Sequence, residues 1–337
     1  MSTALILGIS GFVLLVVIII IVVVMMKKKD DTTESGDVST PSTPAPSTPS
    51  TPAPSTPAPS TPAPESSTPA ATIETTGSYL PLSPIIINST RPICAISMDN
   101  NLYCMDQDTN NNWVKVNQTN PKHVAIDEAQ NIIYLVKSDG KLVSSPLPSD
   151  GKYDKLTWKN LPGTLKQISA NKNLVCGVNN DDKIFCTNAD ANGNFTSFTG
   201  VPGELQHVSV VEGQGGHGLH GANSANALWF MTKYPGSWAQ NIGSAKQIDG
   251  STLNKQCAIN GSDQLHCAWS GSWQHIDPSK TYKYVTVNSS DEAVAIDPSG
   301  KPQYVANFKT TTPSWTALPT TSPSTPNKTL SFKQIDF

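Results

Sequence analysis

The stretch "KQISANKNLVCGVNNDDKIFC", residues 166–186, contains one short strand pattern followed by a hairpin pattern. In the hairpin, Leu174, Cys176 and Val178 fall on one face of the first strand because side chains alternate with a period of two. Ile184 and Cys186 fall on the matching face of its partner. The residues "NNDD" between them tolerate tight backbone geometry. The stretch therefore predicts three short β-strands joined by tight turns.

The same pattern recurs through residues 81–337. Copies of the first strand are "KHVAI" at 122, "KQISA" at 166, "QHVSV" at 206, "KQIDG" at 246, "KYVTV" at 283 and "KQIDF" at 333. Hairpin patterns begin near residues 94, 134, 176, 220, 257 and 294, a period of roughly forty residues. No helical periodicity follows Met26. Four short strands per unit predict an all-β fold, a six-bladed β-propeller.

The two ends of this region complement each other. The first hairpin has no "KQI" strand before it, and the last such strand has no hairpin after it. We therefore expect "TLSFKQIDF", residues 329–337, to form the innermost strand of the blade that begins with "RPICAISMDNNLYC", residues 91–104. This ring closure by the C-terminal strand would remove the open edge that a linear array leaves.

One unit carries a family resemblance. The segment "WKNLPGTLKQISANKNLVCGVNNDDKIFC", residues 158–186, resembles a tectonin repeat, with a Trp, a Gly-ended turn, "LKQIS" and a "VGVN" hairpin. Residues 246–267 match nearly as well. The resemblance implies a propeller that binds carbohydrate, as in fish-egg lectins and related fungal and invertebrate lectins. The regulator-of-chromosome-condensation type of propeller fits less well, because its glycine pattern is absent.

All six cysteines occur as pairs ten residues apart on hairpins. Such residues lie opposite each other on neighbouring strands, within disulfide reach. Equivalent positions in the other units hold Tyr134/Ser144, His220/Phe230 and Val294/Tyr304. Reduced core thiols are one alternative, and metal binding is another, although each pair offers only two ligands. The predicted disulfides are Cys94–Cys104, Cys176–Cys186 and Cys257–Cys267.

The N-terminal region predicts a membrane anchor, residues 1–29. Residues 4–26 carry no charge and are long enough to cross a bilayer as a helix. A cleavable signal peptide is the alternative, but the apolar run is too long and no small-residue cleavage site follows it. Lys27–Lys29 favour a cytosolic C-terminal domain.

The predicted disulfides instead favour an oxidising compartment. Two resolutions remain. Either the propeller is extracellular or lumenal, or it is oxidised in the cytosol, as in membrane proteins of large DNA viruses. The short N-terminus, single span and low-complexity spacer also resemble such virion proteins.

Residues 30–80 predict a linker. This segment consists largely of Ser, Thr, Pro and Ala, with "STPAP" units between residues 39 and 64. It has too little apolar surface to offset the entropy of ordering. High proline content favours polyproline II, and a fully extended segment could reach on the order of 100 Å. A bare spacer and an O-glycosylated stalk fit this composition equally well.

Aromatic residues give the only positive indication of a ligand. Indole faces stack on the apolar faces of sugars, and tryptophans close most of the units. The alternative is that they pack between blades. Trp229 and Trp269 break the repeat and are expected to be the more exposed. The candidate ligand-binding residues are Trp113, Trp158, Trp229, Trp238, Trp269, Trp273 and Trp315.

No catalytic constellation, cofactor motif or metal site is predicted. "GQGGHG", residues 213–218, matches a dinucleotide-binding pattern by letter, but no helix follows. His207, His217 and His220 near it are interpreted as loop and sheet residues. "DQDTNNN" from 106 and "NADANGN" from 188 lack the Gly and closing Glu of an EF-hand. Glycosylation sequons occur at Asn88, Asn117, Asn194, Asn260, Asn288 and Asn327.

These patterns predict a non-enzymatic binding module on a single-pass membrane protein. The net charge is −3 and no basic face offsets this acidic balance. Nucleic acid is therefore not expected as a partner. The expected partners are the lipid bilayer, through residues 4–26, and a glycan or protein at a cell or virion surface. The alternative is a structural virion protein that tethers the capsid shell to the inner membrane, with capsid proteins as partners.

Overall fold

Twenty-four short strands and one turn of 3-10 helix, Tyr153–Lys155, make up the described part of the chain. The computed structural model describes residues 91–106, 112–310, 312–323, 325–326 and 328–337. Within these residues, no helix has the length and apolar character needed to cross a bilayer. The predicted span, residues 4–26, and the predicted linker, residues 30–80, lie outside the described residues.

The strands form consecutive four-stranded antiparallel units, numbered here in chain order. Unit 1 contains β1 (Cys94–Ser97), β2 (Asn101–Asp106), β3 (Asn112–Thr119) and β24 (Phe332–Asp336). Unit 2 contains β4 (Pro121–Asp127), β5 (Ile132–Lys137), β6 (Lys141–Pro146) and β7 (Lys159–Thr164). Unit 3 contains β8 (Gln167–Asn171), β9 (Leu174–Val178), β10 (Lys183–Asn188) and β11 (Thr199–Glu204).

The second half of the domain repeats this order. Unit 4 contains β12 (His207–Gly213), β13 (Gly216–Ala222), β14 (Ala227–Met231) and β15 (Ala239–Ser244). Unit 5 contains β16 (Gln247–Thr252), β17 (Lys255–Ile259), β18 (Leu265–Trp269) and β19 (Ser272–His275). Unit 6 contains β20 (Tyr284–Val287), β21 (Ala293–Ile296), β22 (Pro302–Val305) and β23 (Thr316–Ala317).

The arrangement is all-β and propeller-like, but six separate blades are not confirmed. The described strands form four four-stranded sheets and one eight-stranded sheet, which joins units 4 and 5. The junction is a single parallel pair, Glu212 with Thr252, between β12 and β16. The prediction of six independent sheets missed this junction because it depends on the lengths of two inner strands, which the repeat does not fix.

The predicted closure is confirmed. Strand β24 pairs antiparallel with β1, so that Cys94 lies opposite Asp336 and Ala95 opposite Ile335. The first strands of successive units contact each other in order, and β24 contacts both β20 and β4. The C-terminal strand therefore completes unit 1 and closes the circle of inner strands.

Each central hairpin turns at a residue in the left-handed region, where Gly, Asn and Asp are the least strained. These residues are Asn100, Gly140, Asp182, Asn226, Asp263 and Gly300. The disulfides predicted across these hairpins are present, with Cys94–Cys104, Cys176–Cys186 and Cys257–Cys267 each directly cross-strand. The turn residues and the paired cysteines thus specify the same register.

The apolar core lies between the units rather than at one centre. Each boundary between successive units holds a buried cluster, and the cluster between units 6 and 1 joins Val294 to Trp113 and Phe332. In that cluster the Trp113 and Phe332 ring centroids are 4.6 Å apart. Closing the circle therefore buries an additional interface.

Candidate functional site: rim grooves and the central axis

The grooves at the rim form where an aromatic side chain of one unit covers a glycine of the preceding unit. At the boundary of units 3 and 4, a Cβ built on Gly203 would lie 3.5 Å from the indole nitrogen of Trp238. That nitrogen donates a hydrogen bond to the Pro202 carbonyl oxygen, 2.8 Å away. Phe198 covers Gly163 in the same way at the boundary of units 2 and 3.

The first groove, between units 3 and 4, has a volume of about 290 Å³. Trp229 and Trp238 contribute half-buried indoles, Ile184 and Leu205 contribute apolar surface, and Glu204 and Asn223 are the polar members. An apolar concave surface with a few polar groups is typical of a small-molecule site.

The second groove is the equivalent space between units 4 and 5, about 540 Å³ in volume. Its lining residues are Leu228, Ile242, Gly243, Ser244, Ala258, Asn260, Gly261, Ser262, His266 and Trp273. Ile242 at its edge is 90% exposed. Five positions correspond between the two grooves. In chain order within each unit, the first groove has Ile184, Gly203, Asn223, Trp229 and Trp238, and the second has Leu228, Gly243, Asn260, His266 and Trp273, respectively. The two grooves are therefore versions of one repeated feature.

The other candidate tryptophans have packing roles. Trp113 is fully buried and donates to the Pro319 carbonyl oxygen at 2.7 Å, so it presents no face to a ligand. Trp158, Trp269 and Trp315 are half-buried and pack against the clusters between units. The expectation that Trp229 and Trp269 would be exposed does not hold. Both are half-buried because each packs against a cluster between units, Trp229 at the boundary with unit 3 and Trp269 at the boundary with unit 6.

The central axis is lined by alternate residues of the innermost strands. Three glutamines link successive units: Gln167, Gln247 and Gln334. The side-chain amide of each hydrogen-bonds to both the backbone N–H and the backbone C=O of one residue on the next unit's inner strand. Gln167, for example, donates to the Val208 carbonyl oxygen at 2.8 Å and accepts from the Val208 amide at 3.1 Å. These bonds satisfy backbone groups that would otherwise be buried and unpaired.

His123, His207 and Tyr284 occupy the same position in units 2, 4 and 6. The three rings, called the axial ring below, have centroid separations of 6.1, 6.2 and 6.3 Å. Burial lowers the pKa of His123 to about 3, helped by the neighbouring His207, and lowers the pKa of His207 to about 4. Burial, with Asp336 and Asp249 nearby, raises the pKa of Tyr284 well above its usual value. All three rings are therefore neutral at pH 7.

Two half-buried carboxyl groups, those of Asp249 and Asp336, lie one layer further along the axis. The Thr286 hydroxyl is 2.7 Å from Asp336 Oδ1 and 3.0 Å from Asp249 Oδ2. A hydroxyl has one proton to donate, so the second contact is favourable only when the other carboxyl is protonated. Burial raises the pKa of both Asp249 and Asp336, and the Asp249 charge raises that of Asp336 further. The two carboxyls border a cavity of about 270 Å³ at this end of the axis.

The sequence predicts no metal centre. In the described ranges, no three His, Cys, Asp or Glu side chains form an arrangement suited to a metal. In the "NADANGN" segment, Asp190 accepts hydrogen bonds from the Asn192 and Asn194 backbone amides. This is an ordinary Asx turn. Most of "DQDTNNN" lies outside the described residues.

The histidine-rich segment is a hairpin, as its sequence indicated. "GQGGHG" forms the turn between β12 and β13. His217 and His220 lie on β13, and burial lowers the pKa of His220 to about 4. His207 differs from both because it faces the axis.

The sequons fall in different environments. Asn117 is exposed, Asn194 and Asn260 are half-buried, and Asn88 and Asn327 lie outside the described residues. Asn288 is only 1% exposed and its side-chain amide donates to Glu292. The buried side chain of Asn288 is therefore not available for glycan attachment on the folded chain.

The sequence reasoning missed the axial ring and the carboxyl pair. The signal was available in the aligned strand motifs, whose second position reads His, Gln, His, Gln, Tyr, Gln along the chain. Period-two alternation places that position and the one two residues later on a single face. What the alignment did not show was that this face is directed along the axis.

Comparison with known proteins agrees with the geometry. The tectonin domain model matches residues 82–296, more than half of the chain. No curated protein sequence matches the chain significantly. A chain of the nidogen/laminin complex aligns over 73% of this chain and 97% of that chain, with 11% identity and a TM-score of 0.53. The WD40 β-propeller domain of Doa1 aligns over 73% and 88%, with 10% identity and a TM-score of 0.49. The first likeness supports a propeller-like fold.

Proposed function

The chain belongs to the tectonin domain family, and from that premise we propose that it is a non-enzymatic recognition module whose rim grooves bind carbohydrate. Domains of this family and fold are typically binding modules rather than catalysts. The proposed architecture is a six-bladed propeller in which blades 4 and 5 join at their inner ends. The six inter-unit clusters support that count within the described residues.

The observation that carries the proposal is the pair of equivalent grooves with indole walls. A pyranose has an apolar face of C–H groups and a rim of hydroxyl groups. Trp238 in the first groove and Trp273 in the second offer aromatic surface for the apolar face. Asn223 and Glu204 in the first groove, and Ser244 and Ser262 in the second, are suited to the hydroxyls. Because the grooves repeat, a multivalent glycan would gain avidity from both.

A glycan array probed with the full chain in detergent tests the proposal. We expect specific binding that weakens in Trp238→Ala and Trp273→Ala. Trp158→Ala is the matched control, because Trp158 is also half-buried but lines neither groove. Thermal melting of each variant separates loss of binding from loss of fold. A silent array, or equal loss in the control, would contradict carbohydrate recognition.

Display from a membrane is the second part of the proposal. The uncharged residues 4–26 and the Pro/Ser/Thr-rich residues 30–80 support a single span and a spacer that hold the propeller away from a cell or virion membrane. Extraction of native membranes with alkaline carbonate tests the span. We expect the chain to remain in the pellet, and its release would contradict anchoring. A silent array with co-purifying shell proteins would favour the tether between capsid and membrane.

A further inference from the structure

The axial ring contains buried ring nitrogens without partners. His207 is 8% exposed, and neither of its nitrogens has a hydrogen-bond partner within the described residues. His123 Nδ1 is also buried and unpaired. Leaving a buried polar atom unpaired is unfavourable, because the atom has lost its hydrogen bonds to water. The two nitrogens of His207 and Nδ1 of His123 are therefore open to a further partner at one point of the axis.

The separations within the ring suit a metal ion. Zinc lies 2.0–2.1 Å from imidazole nitrogen, so two imidazoles that share an ion have centroids about 5–6 Å apart. The His123 and His207 centroids are 6.1 Å apart, with the ring planes inclined at 59°. Two tetrahedral ligand atoms are about 3.3 Å apart at these bond lengths. Tyr284 Oη and His123 Nε2 form a 3.3 Å hydrogen bond, and this separation also equals that of two ligand atoms on one tetrahedral ion.

We propose that the axial ring binds one divalent transition-metal ion of the zinc type. One nitrogen from His123, one from His207 and the oxygen of Tyr284 are the protein ligands, with water in the fourth position. Imidazole favours Zn²⁺, Ni²⁺ and Cu²⁺ over Ca²⁺ and Mg²⁺. If Tyr284 binds as a phenolate, one proton is released to solvent. His123 and Tyr284 are half-buried rather than fully enclosed.

The second layer of the axis favours a cation. Gln334 Nε2 lies 3.2 Å from Tyr284 Oη, and its hydrogen bond orients that oxygen. Thr286, two residues beyond Tyr284 on β20, contacts the carboxyl groups of Asp249 and Asp336. A negative charge on either carboxyl would attract a positive ion in the adjacent layer.

A second pair of histidines provides an internal comparison. His266 and His275 in unit 5 are stacked, with centroids 4.7 Å apart and planes at 16°. The lone pair of an imidazole nitrogen lies in the ring plane, so stacked rings direct their lone pairs in parallel. The rings of His123 and His207 are inclined at 59°, so their lone pairs are not held in parallel planes. The ion is therefore assigned to the axis and not to the stacked pair.

The ion would join the units that lack disulfides. His123, His207 and Tyr284 belong to units 2, 4 and 6, whereas the three disulfides lie in units 1, 3 and 5. Ligands from three separate units make the ion a cross-link across the axis. Its role in this proposal is structural.

The test uses the full chain in detergent, stripped with a chelator and titrated with Co²⁺. We expect one equivalent to give the visible absorption of a tetrahedral site, and one equivalent of Zn²⁺ to abolish it. His123→Gln and His207→Gln should each weaken binding roughly tenfold or more. Glutamine is compatible with the fold here, because units 1, 3 and 5 carry it at this position. Tyr284→Phe removes a single oxygen and should shift the spectrum.

Two controls make the outcome decisive. His220→Ala removes a buried imidazole, 2% exposed, that does not belong to the ring, and it should bind Co²⁺ normally. His266→Ala disrupts the stacked pair and should also bind normally. The proposal is overturned if the wild-type chain binds neither ion, if His207→Gln binds as the wild type does, or if His266→Ala alone abolishes binding.

Discussion

Units 1, 3 and 5 differ systematically from units 2, 4 and 6. Each unit of the first set has a cross-strand disulfide and an inner-strand glutamine that grips the backbone of the next unit. Each unit of the second set has no cysteine, and its inner strand places His123, His207 or Tyr284 on the axis. The alternation gives the described domain a pseudo-threefold repeat of paired units.

This difference shows that neighbouring units are stabilised in different ways. A unit with a disulfide is fixed internally and also holds its successor through two hydrogen bonds. A unit without a disulfide depends on packing at both of its boundaries and on the ion proposed to bind at the axis. Separate substitution of the disulfides, the glutamines and the axial residues therefore tests whether units 1, 3 and 5 differ from units 2, 4 and 6 in how they are stabilised.

Removal of the C-terminal strand should have the largest effect. Truncation after Thr329 deletes Leu330, Phe332, Ile335 and Phe337, all 2% exposed or less. At about 1.5–3 kcal/mol for each buried side chain, the loss approaches the whole stability of a domain. We expect no cooperative thermal transition by circular dichroism. Lys333→Ala is the control and should cost under about 1 kcal/mol. An unchanged melt after truncation would contradict ring closure.

Loss of one disulfide should be the next largest perturbation. Cys176→Ala with Cys186→Ala should destabilise the domain by about 3 kcal/mol, because a closed loop of this length limits the unfolded chain. The melting temperature should fall by about 6–12 °C. Reductant should lower the wild-type melting temperature and leave that of a variant without cysteines unchanged. Equal sensitivity of both would assign the effect to something other than the disulfides.

The glutamines and the axial histidine should respond differently to substitution. Gln167→Ala leaves the amide and carbonyl of Val208 without their partner, and we expect a loss of about 2 kcal/mol. His207→Gln in metal-free protein should cost under about 1 kcal/mol, since neither ring nitrogen has a protein partner within the described residues. Urea denaturation measures both. Equal losses would remove the distinction between the two classes of unit.

The smallest effect should be a change in pH dependence. The pKa of Asp336 is raised by burial and by the nearby Asp249 charge, whereas the unfolded value is about 3.9. Between these two values the folded state holds more protons than the unfolded state. Stability from this group is therefore lost as pH rises through that window. Asp336→Asn does not titrate, so its stability should exceed that of the wild type by a margin that grows as pH rises above the unfolded value of about 3.9. Thermal melts at pH 5 and pH 8 measure that margin. Parallel melting curves at both pH values would contradict the raised pKa.

Much of the fold could be predicted because it is encoded locally. The hairpins, the cysteine register and the left-handed turn residues follow from alternation and turn chemistry within about ten residues. Closure by residues 329–337 followed from counting strands and hairpins. The sequence could not show that units 4 and 5 join through Glu212 and Thr252, because strand length decides that contact.

The candidate sites could be predicted only in part. Trp238 and Trp273 were among the aromatic candidates and do line grooves. Trp113 was in the same set but is buried at the boundary with unit 6. The repeat places a Trp in both kinds of position, so the pattern alone did not separate ligand surface from core.

Taken alone, the amino-acid order determined which strands pair, which cysteines join and which strand completes the first unit. Those outcomes depend on neighbours along the chain or on a simple count of repeats. Only the tertiary structure decided which side chains meet across units. Gln167 reaches Val208 over 41 positions and Tyr284 reaches His123 over 161. Such contacts are set by the curvature of the closed circle, and no local pattern of polar and apolar residues encodes that curvature.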